Sequence, residues 1–294
     1  MKHISGKELY HWYQQAKQAA IATDIVPDEV DWLMQTVTSL DRLALRLGTF
    51  KDRSQIPSSK SLPELAKLWQ QRLQERIPVQ YLVETVFWRR FKLKVTPAVL
   101  IPRPETELII DLAQEHNLIK SSDPHWVDLG TGSGAIALGL ADIFPQATIH
   151  AVDLSSEALL VARENAVNLN LERQICFYQG SWWSSLKFLA GKVTGVVANP
   201  PYIPTASIDS LQPEVVKHEP HLALDGGEDG LRDIRCLIEA TPQYLISGGI
   251  LIMEIMAGQA NQVIELLHRS DCYYGIKSYQ DFNDIERFVM AYRR

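Results

Sequence analysis

Over the first 75 residues apolar side chains recur at helical spacing, and almost no strand pattern is present. Leu9, Tyr10, Trp12 and Tyr13 begin one amphipathic segment. Pro27 and Asp28 open a second, which runs through Val30, Leu33, Met34 and Val37. Ser61, Pro63 and Glu64 read as N-cap, early-turn proline and capping-box partner ahead of Leu65, Leu68, Trp69 and Leu73. The pattern predicts a small all-α bundle over residues 1–77, with its Trp and Tyr side chains in the core. From Pro78 to Ile101 the period changes to two. Val86-Phe87-Trp88, then Phe91, Leu93 and Val95, alternate with Arg90, Lys92 and Lys94, which predicts a β-hairpin linker over residues 78–101.

After Pro102 and Pro104 a helix is expected, with Glu105 and Glu107 in its first turn, where negative charge suits the helix dipole. Strands and helices then alternate through a domain of residues 102–294. His125–Leu129, Ala147–Leu154, Ile175–Tyr178, Val193–Ala198 and Ile250–Ile255 are apolar and β-branched enough for buried strands, and Arg287–Tyr292 reads as a closing strand. Ala135–Ile143, Ser156–Asn168 and Leu231–Ile246 read as the helices between them. The fold class is therefore α/β, a mainly parallel sheet with helices on both faces.

Composition narrows the function without naming it. The 294 residues carry 29 Lys+Arg against 35 Asp+Glu, net −6, and the charges of the helical part nearly cancel. Nothing global favours nucleic acid or an anionic membrane. Cys176, Cys236 and Cys272 lie far apart, odd in number and without metal-like spacing, so they read as thiols of a reducing cytosol. His218 and His221 have no companion ligands, and no metal is expected. No signal peptide is evident, no run reaches the ~18 apolar residues of a membrane span, and a cytoplasmic location follows.

The chemistry concentrates at strand ends. Asp128-Leu129-Gly130-Thr131-Gly132-Ser133-Gly134 sits where an apolar strand gives way to an alanine-rich helix, a turn in which glycines bring backbone N–H groups close to a ligand. The G-x-G-x-G spacing differs from the G-x-G-x-x-G of dinucleotide folds and weighs against NAD. Asp153 ends the next strand, where a carboxylate can accept both ribose hydroxyls. It could instead cap the following helix, but Ser155 is placed to do that. Asn199-Pro200-Pro201-Tyr202 follows a buried strand. The two prolines have no N–H, so the main chain offers carbonyls only. The side-chain oxygen of Asn199 and the carbonyl of Pro200 can each take one N–H of a planar NH2 group, and Tyr202 can stack on it. A proline-rich structural turn is the plainer alternative.

With these residues in place, the chain resembles the protein-(glutamine-N5) methyltransferases of the HemK/PrmC type, which modify the glutamine of the Gly-Gly-Gln motif in peptide-chain release factors. The likeness also covers Pro78-Val79-Gln80-Tyr81-Leu82, Val99 to Glu107 (VLIPRPETE), Glu219-Pro220, Ala223 to Gly227 (ALDGG), Asp229-Gly230-Leu231, Gly248-Gly249 and the strand beginning at Arg287. It implies a Rossmann-like class I methyltransferase domain that uses S-adenosylmethionine and yields S-adenosylhomocysteine. By the same likeness Gly130, Thr131, Gly132, Ser133, Gly134, Asp153, Trp182 and Asn199 would line the cofactor pocket. Asn199, Pro200, Pro201 and Tyr202 would hold the glutamine and carry catalysis, and the helical part would help dock the release factor. Glu84 stands where the family usually has glycine, and Ser181 where an acidic residue often precedes the tryptophan. Rival readings are a glutamine methyltransferase for a ribosomal protein, an adenine amino-methyltransferase on DNA or RNA, a non-catalytic binding module and, last, an NAD oxidoreductase. Of these the adenine reading shares the tetrapeptide, but it must hold a phosphate backbone that the charge balance does not favour.

Overall fold

The computed structural model describes residues 1–119 and 121–294. Two compact units emerge, Met1–Thr85 with Pro213–His218, and Val86–Gln212 with Glu219–Arg294.

In the first unit the helices Gly6–Ala22, Asp28–Val37 and Leu62–Glu75 turn Leu9, Tyr13, Val30, Leu33, Met34, Leu65 and Trp69 into one buried cluster. The Trp69 indole donates to the Ala16 carbonyl at 3.1 Å, so an aromatic core residue satisfies its one polar atom. Ser61 opens the third of these helices, with its N–H donating to Glu64 Oε2 at 2.6 Å. The unit is not all-α. Strand β1 (Lys2–Ile4) pairs antiparallel with β2 (Ile56–Ser58), burying Ile4 and Ile56; three-residue strands are too short for a period to show. Residues 78–85 fall in this unit and not in a linker, because Val79 is part of its core. Pro213–His218 joins it too, with Glu214 ion-paired to the buried Arg72 and to Arg76.

The second unit begins with a two-stranded hairpin, β3 (Val86–Trp88) against β4 (Phe91–Leu93). Its main sheet has seven strands: β5 (His125–Leu129), β6 (Thr148–Asp153), β7 (Ile175–Gln179), β8 (Val193–Ala198), β9 (Leu245–Glu254), β10 (Tyr273–Gln280) and β11 (Glu286–Arg293). The order is β10-β11-β9-β8-β5-β6-β7, parallel from β9 to β7, with β10 and β11 antiparallel at one edge. β8 is buried along its whole length, as a central parallel strand requires. Two expectations need correction. The helix foreseen over Leu231–Ile246 runs only Arg232–Ala240, because Pro242 turns the chain into a 3-10 segment and Leu245 already belongs to β9. β10 was not foreseen; its exposed, polar pattern carries little alternation. Among the described residues no helix is long and apolar enough to cross a membrane.

Candidate functional site

The chain winds outward from β5 in both directions, to β6 and β7 on one side and β8 and β9 on the other. Such a reversal opens a crevice at the carboxyl ends of the strands, between β5 and β8. Register then places the polar residues. Leu129 is level with Val152 and with Ala198, and Ala198 is level with Met253. One residue further along each strand stand Asp153, Gly130, Asn199 and Glu254, a single row across four neighbouring strand ends.

At the glycine turn, Gly130 N–H and Thr131 N–H both donate to the Val152 carbonyl at 2.9 Å. Gly132 has φ +54, and a Cβ there would meet no protein atom within 4 Å, so the space before it belongs to the cavity. The turn is anchored from below by Asp128, which is wholly buried and accepts from Thr131 Oγ1 at 2.6 Å and from Ala137 N–H at 3.0 Å. Burial pushes its carboxyl up to about 7. Sequence reasoning gave Asp128 no role, although a lone acid inside an apolar strand was the available signal.

Asp153 accepts Gly132 N–H at 2.8 Å on one oxygen and Ser155 N–H at 2.9 Å on the other, while Ser155 Oγ caps the next helix through Ala158 N–H at 3.1 Å. Burial raises the Asp153 carboxyl above its ordinary range. Trp182 sits at φ +50, with its indole donating to Asp233 Oδ1 at 3.3 Å and its ring against Gly130.

The cavity is lined by Gly130, Thr131, Gly132, Ser133, Asp153, Trp182, Asn199 and Pro201, together with Arg103 and Thr106. Three candidate residues stand behind that lining. Gly134, at φ +84, starts the helix Ala135–Ile143 against Ala162. Pro200 is buried. Tyr202 turns its phenol to Glu254 Oε1 at 3.2 Å, and burial first, then the Glu254 charge, holds that phenol far above its usual range.

Several motif residues without an assigned role prove to be the support of this corner. Arg103 donates to the buried Glu219 at 2.7 Å, and burial keeps that carboxyl above its ordinary range despite the guanidinium. Gly230 lies against the tetrapeptide backbone: at φ +75, a Cβ on it would fall 2.3 Å from the Tyr202 carbonyl oxygen. Asn199 Nδ2 is 3.5 Å from Thr106 Oγ1, which itself donates to Glu254 Oε2 at 2.6 Å.

The open space at Gly132, the clamped carboxylate of Asp153 and the aromatic wall of Trp182 fit a nucleoside-bearing ligand. Comparison with known proteins points the same way. Residues 106–228 match the family model described as "Methyltransferase small domain". The release factor glutamine methyltransferase of Synechocystis sp. is 53% identical over 291 residues, 98% of this chain and 97% of that one. Its counterpart from Thermosynechococcus vestitus is 43% identical over 290 residues, 98% and 99% of the two chains. Among solved structures, the hMettl16 catalytic domain superposes with a TM-score of 0.57 at 11% identity, over 88% of each chain, a likeness of fold alone.

Proposed function

This chain belongs to the release factor glutamine methyltransferase family, and we propose that the row of strand ends from Asp153 to Glu254 is its methyl-transfer site. The acceptor is the side-chain amide nitrogen, N5, of the glutamine in the Gly-Gly-Gln motif of a peptide-chain release factor. S-adenosylmethionine, when bound, supplies an electrophilic methyl group. Gly130 to Ser133, Asp153 and Trp182 would hold it, with Asp153 taking the ribose hydroxyls and Gly134 keeping the turn tight. The helical unit Met1–Thr85 would contribute to docking the protein substrate, and the setting implied is the cytoplasm.

The observation that carries this reading is the position of Asn199. It stands one residue past β8, lines the cavity beside Gly130, and is followed by two residues that have no N–H. An amide nitrogen is a poor nucleophile because its lone pair is delocalised into the carbonyl. Asn199 Oδ1 in the cavity wall and the Pro200 carbonyl immediately behind it would each accept one of its protons, raising electron density on nitrogen and fixing its direction. Orientation of this kind is worth roughly 7–11 kcal/mol in well-aligned intramolecular reactions. The nitrogen's proton leaves after the new N–C bond has formed, so no strong base is required beforehand.

The test is incubation of the enzyme with a purified release factor and labelled methyl donor, followed by peptide mass spectrometry. One added methyl on a single glutamine is the expected product, and Asn199→Ala is expected to fold normally yet lose at least 100-fold in turnover, roughly the loss of one preorganised polar partner. Label entering nucleic acid or a ribosomal protein, and not the release factor, would reassign the substrate. A fully active Asn199→Ala would remove the mechanism.

A further inference from the structure

Glu254 closes β9 and is wholly buried, and each of its oxygens has a hydroxyl partner: Thr106 Oγ1 at 2.6 Å on Oε2 and Tyr202 OH at 3.2 Å on Oε1. Among the described residues no cation bonds it directly. A buried carboxylate held only by hydroxyls is costly to keep, which asks for a reason beyond packing. The reason lies one bond further on, where Thr106 Oγ1 faces Asn199 Nδ2.

Taking Asn199 as the acceptor-side group assigned above, we propose that Glu254 is a positioning residue that sets the donor–acceptor polarity of the substrate site, acting through Thr106 on Asn199 and directly on Tyr202.

A hydroxyl has one proton to give. Thr106 spends its proton on Glu254 and is left with lone pairs toward Asn199, where it can only accept. A carboxamide has a donor end and an acceptor end, and a neighbour able only to accept selects the NH2 end. Nδ2 therefore turns to Thr106, and Oδ1 is left for the incoming N–H of the substrate amide. At 3.5 Å this last link is long, and substrate binding would tighten it. Were the polarity reversed, the Asn199 NH2 would confront the substrate NH2, donor against donor. Tyr202 is fixed in the same way, its proton committed to Oε1.

The arrangement works only while Glu254 is ionised. Protonation puts a donor on one of its oxygens, which must then displace the proton of Thr106 or of Tyr202. The groups that face it are Tyr202 from the tetrapeptide, Glu105 from the 3-10 turn that carries Thr106, and Arg287 from β11; Arg103 acts on Tyr202. Burial dominates and pushes the carboxyl up to about 7. Turnover should then rise with pH through about 7, the ionised form being the active one.

Four variants with a purified release factor test this: Thr106→Val, Thr106→Ser, Glu254→Gln and Asn199→Ala, each with kcat, KM, the cofactor Kd and a pH profile. Thr106→Val keeps the volume and loses the hydroxyl, so kcat is expected to fall about tenfold or more with the cofactor Kd within about threefold. Thr106→Ser restores the hydroxyl and should recover most of that loss. Glu254→Gln offers one acceptor to two hydroxyls, so kcat falls and the limb near neutrality disappears. Thr106→Val at the wild-type rate, or Glu254→Gln with an unchanged limb, overturns the relay, while an inactive Asn199→Ala in the same series leaves the assignment of Asn199 standing. An active Asn199→Ala would instead strike down the reading beneath it.

Discussion

Replacing Gly230 with alanine puts a methyl group where the tetrapeptide backbone already lies. Gly230 has φ +75, and an L-residue held in the left-handed region costs roughly 1–2 kcal/mol. The added Cβ would fall 2.3 Å from the Tyr202 carbonyl oxygen, 3.1 Å from its carbon and 2.8 Å from Gln259 Nε2. Neither neighbour is a loose tip. The carbonyl is backbone, and Gln259 Nε2 already donates to that same oxygen at 3.1 Å and to the Gly230 carbonyl at 3.3 Å. A carbon–oxygen contact needs roughly 3.3–3.5 Å, so the Tyr202 peptide must retreat by about 1 Å. Overpacking of this kind adds roughly 1–3 kcal/mol, for a total of roughly 2–5 kcal/mol. At ~2–4 °C per kcal/mol for a unit of this size, melting should fall by roughly 4–20 °C. If the tetrapeptide yields instead, the strain is relieved at the site, and a 1 Å misplacement costs about 100-fold in turnover. Thermal melting and kcat measured on the same preparation cover both routes. A variant that melts within about 2 °C of wild type and turns over within twofold would refute the contact and the role given to Gly230.

Two further outcomes follow from the carboxylates at the cavity and beneath it. Asp153→Ala removes a charged acceptor whose hydrogen bonds are worth roughly 1.5–3 kcal/mol, so isothermal titration should show S-adenosylmethionine bound about 10- to 100-fold more weakly; an unchanged Kd would reduce Asp153 to a clamp on Gly132 and Ser155. Asp128 has its carboxyl raised to about 7 by burial, so the folded chain keeps that proton longer than the unfolded chain and loses stability as pH climbs from the ordinary carboxylate range through about 7. Asp128→Asn removes this titration, and denaturant unfolding near pH 5 and near pH 8 should show the variant gaining on wild type at the higher pH. An equal difference at both would place the Asp128 proton elsewhere.

Residues that announce themselves by local rules were legible. β5 and β8 begin and end where their apolar runs do, as do the helices Ala135–Ile143 and Ser156–Asn168, because Gly134 and Ser155 mark their starts. The glycine turn, Asp153 and Asn199 were visible because each sits at the end of such a run. What was not legible depends on distance. Thr106 and Glu254 are 148 residues apart and meet only through the fold, and neither type signals a partner in sequence. Arg103 and Glu219 likewise pair across 116 residues. Glu84 adopts φ +51, a left-handed backbone that favours glycine and that no periodicity could disclose. β10 and β1 escaped for opposite reasons, one too polar to alternate clearly and the other too short to alternate at all.

The row of strand ends also explains why sequence order and working order differ. Along the chain the polar groups run Gly130, Asp153, Asn199, Glu254; across the sheet they run Asp153, Gly130, Asn199, Glu254. The exchange follows from the reversal of winding at β5, which sets β6 on one flank and β8 on the other. Neighbouring strands lie about 4.8 Å apart, so the row spans roughly 14 Å, enough for a nucleoside at one end and a side-chain amide at the other. On the proposed assignment Gly130 and Asp153, at the β5–β6 half of the row, would face the cofactor, and Asn199 at β8, positioned by Glu254 at β9, would face the acceptor. The boundary between halves is the β5–β8 crevice, the one place along the row where a group held by either half can reach a group held by the other. On the same assignment the reacting atoms would lie between Gly130 and Asn199, and Glu254, one strand further out, would act only through the residues it holds.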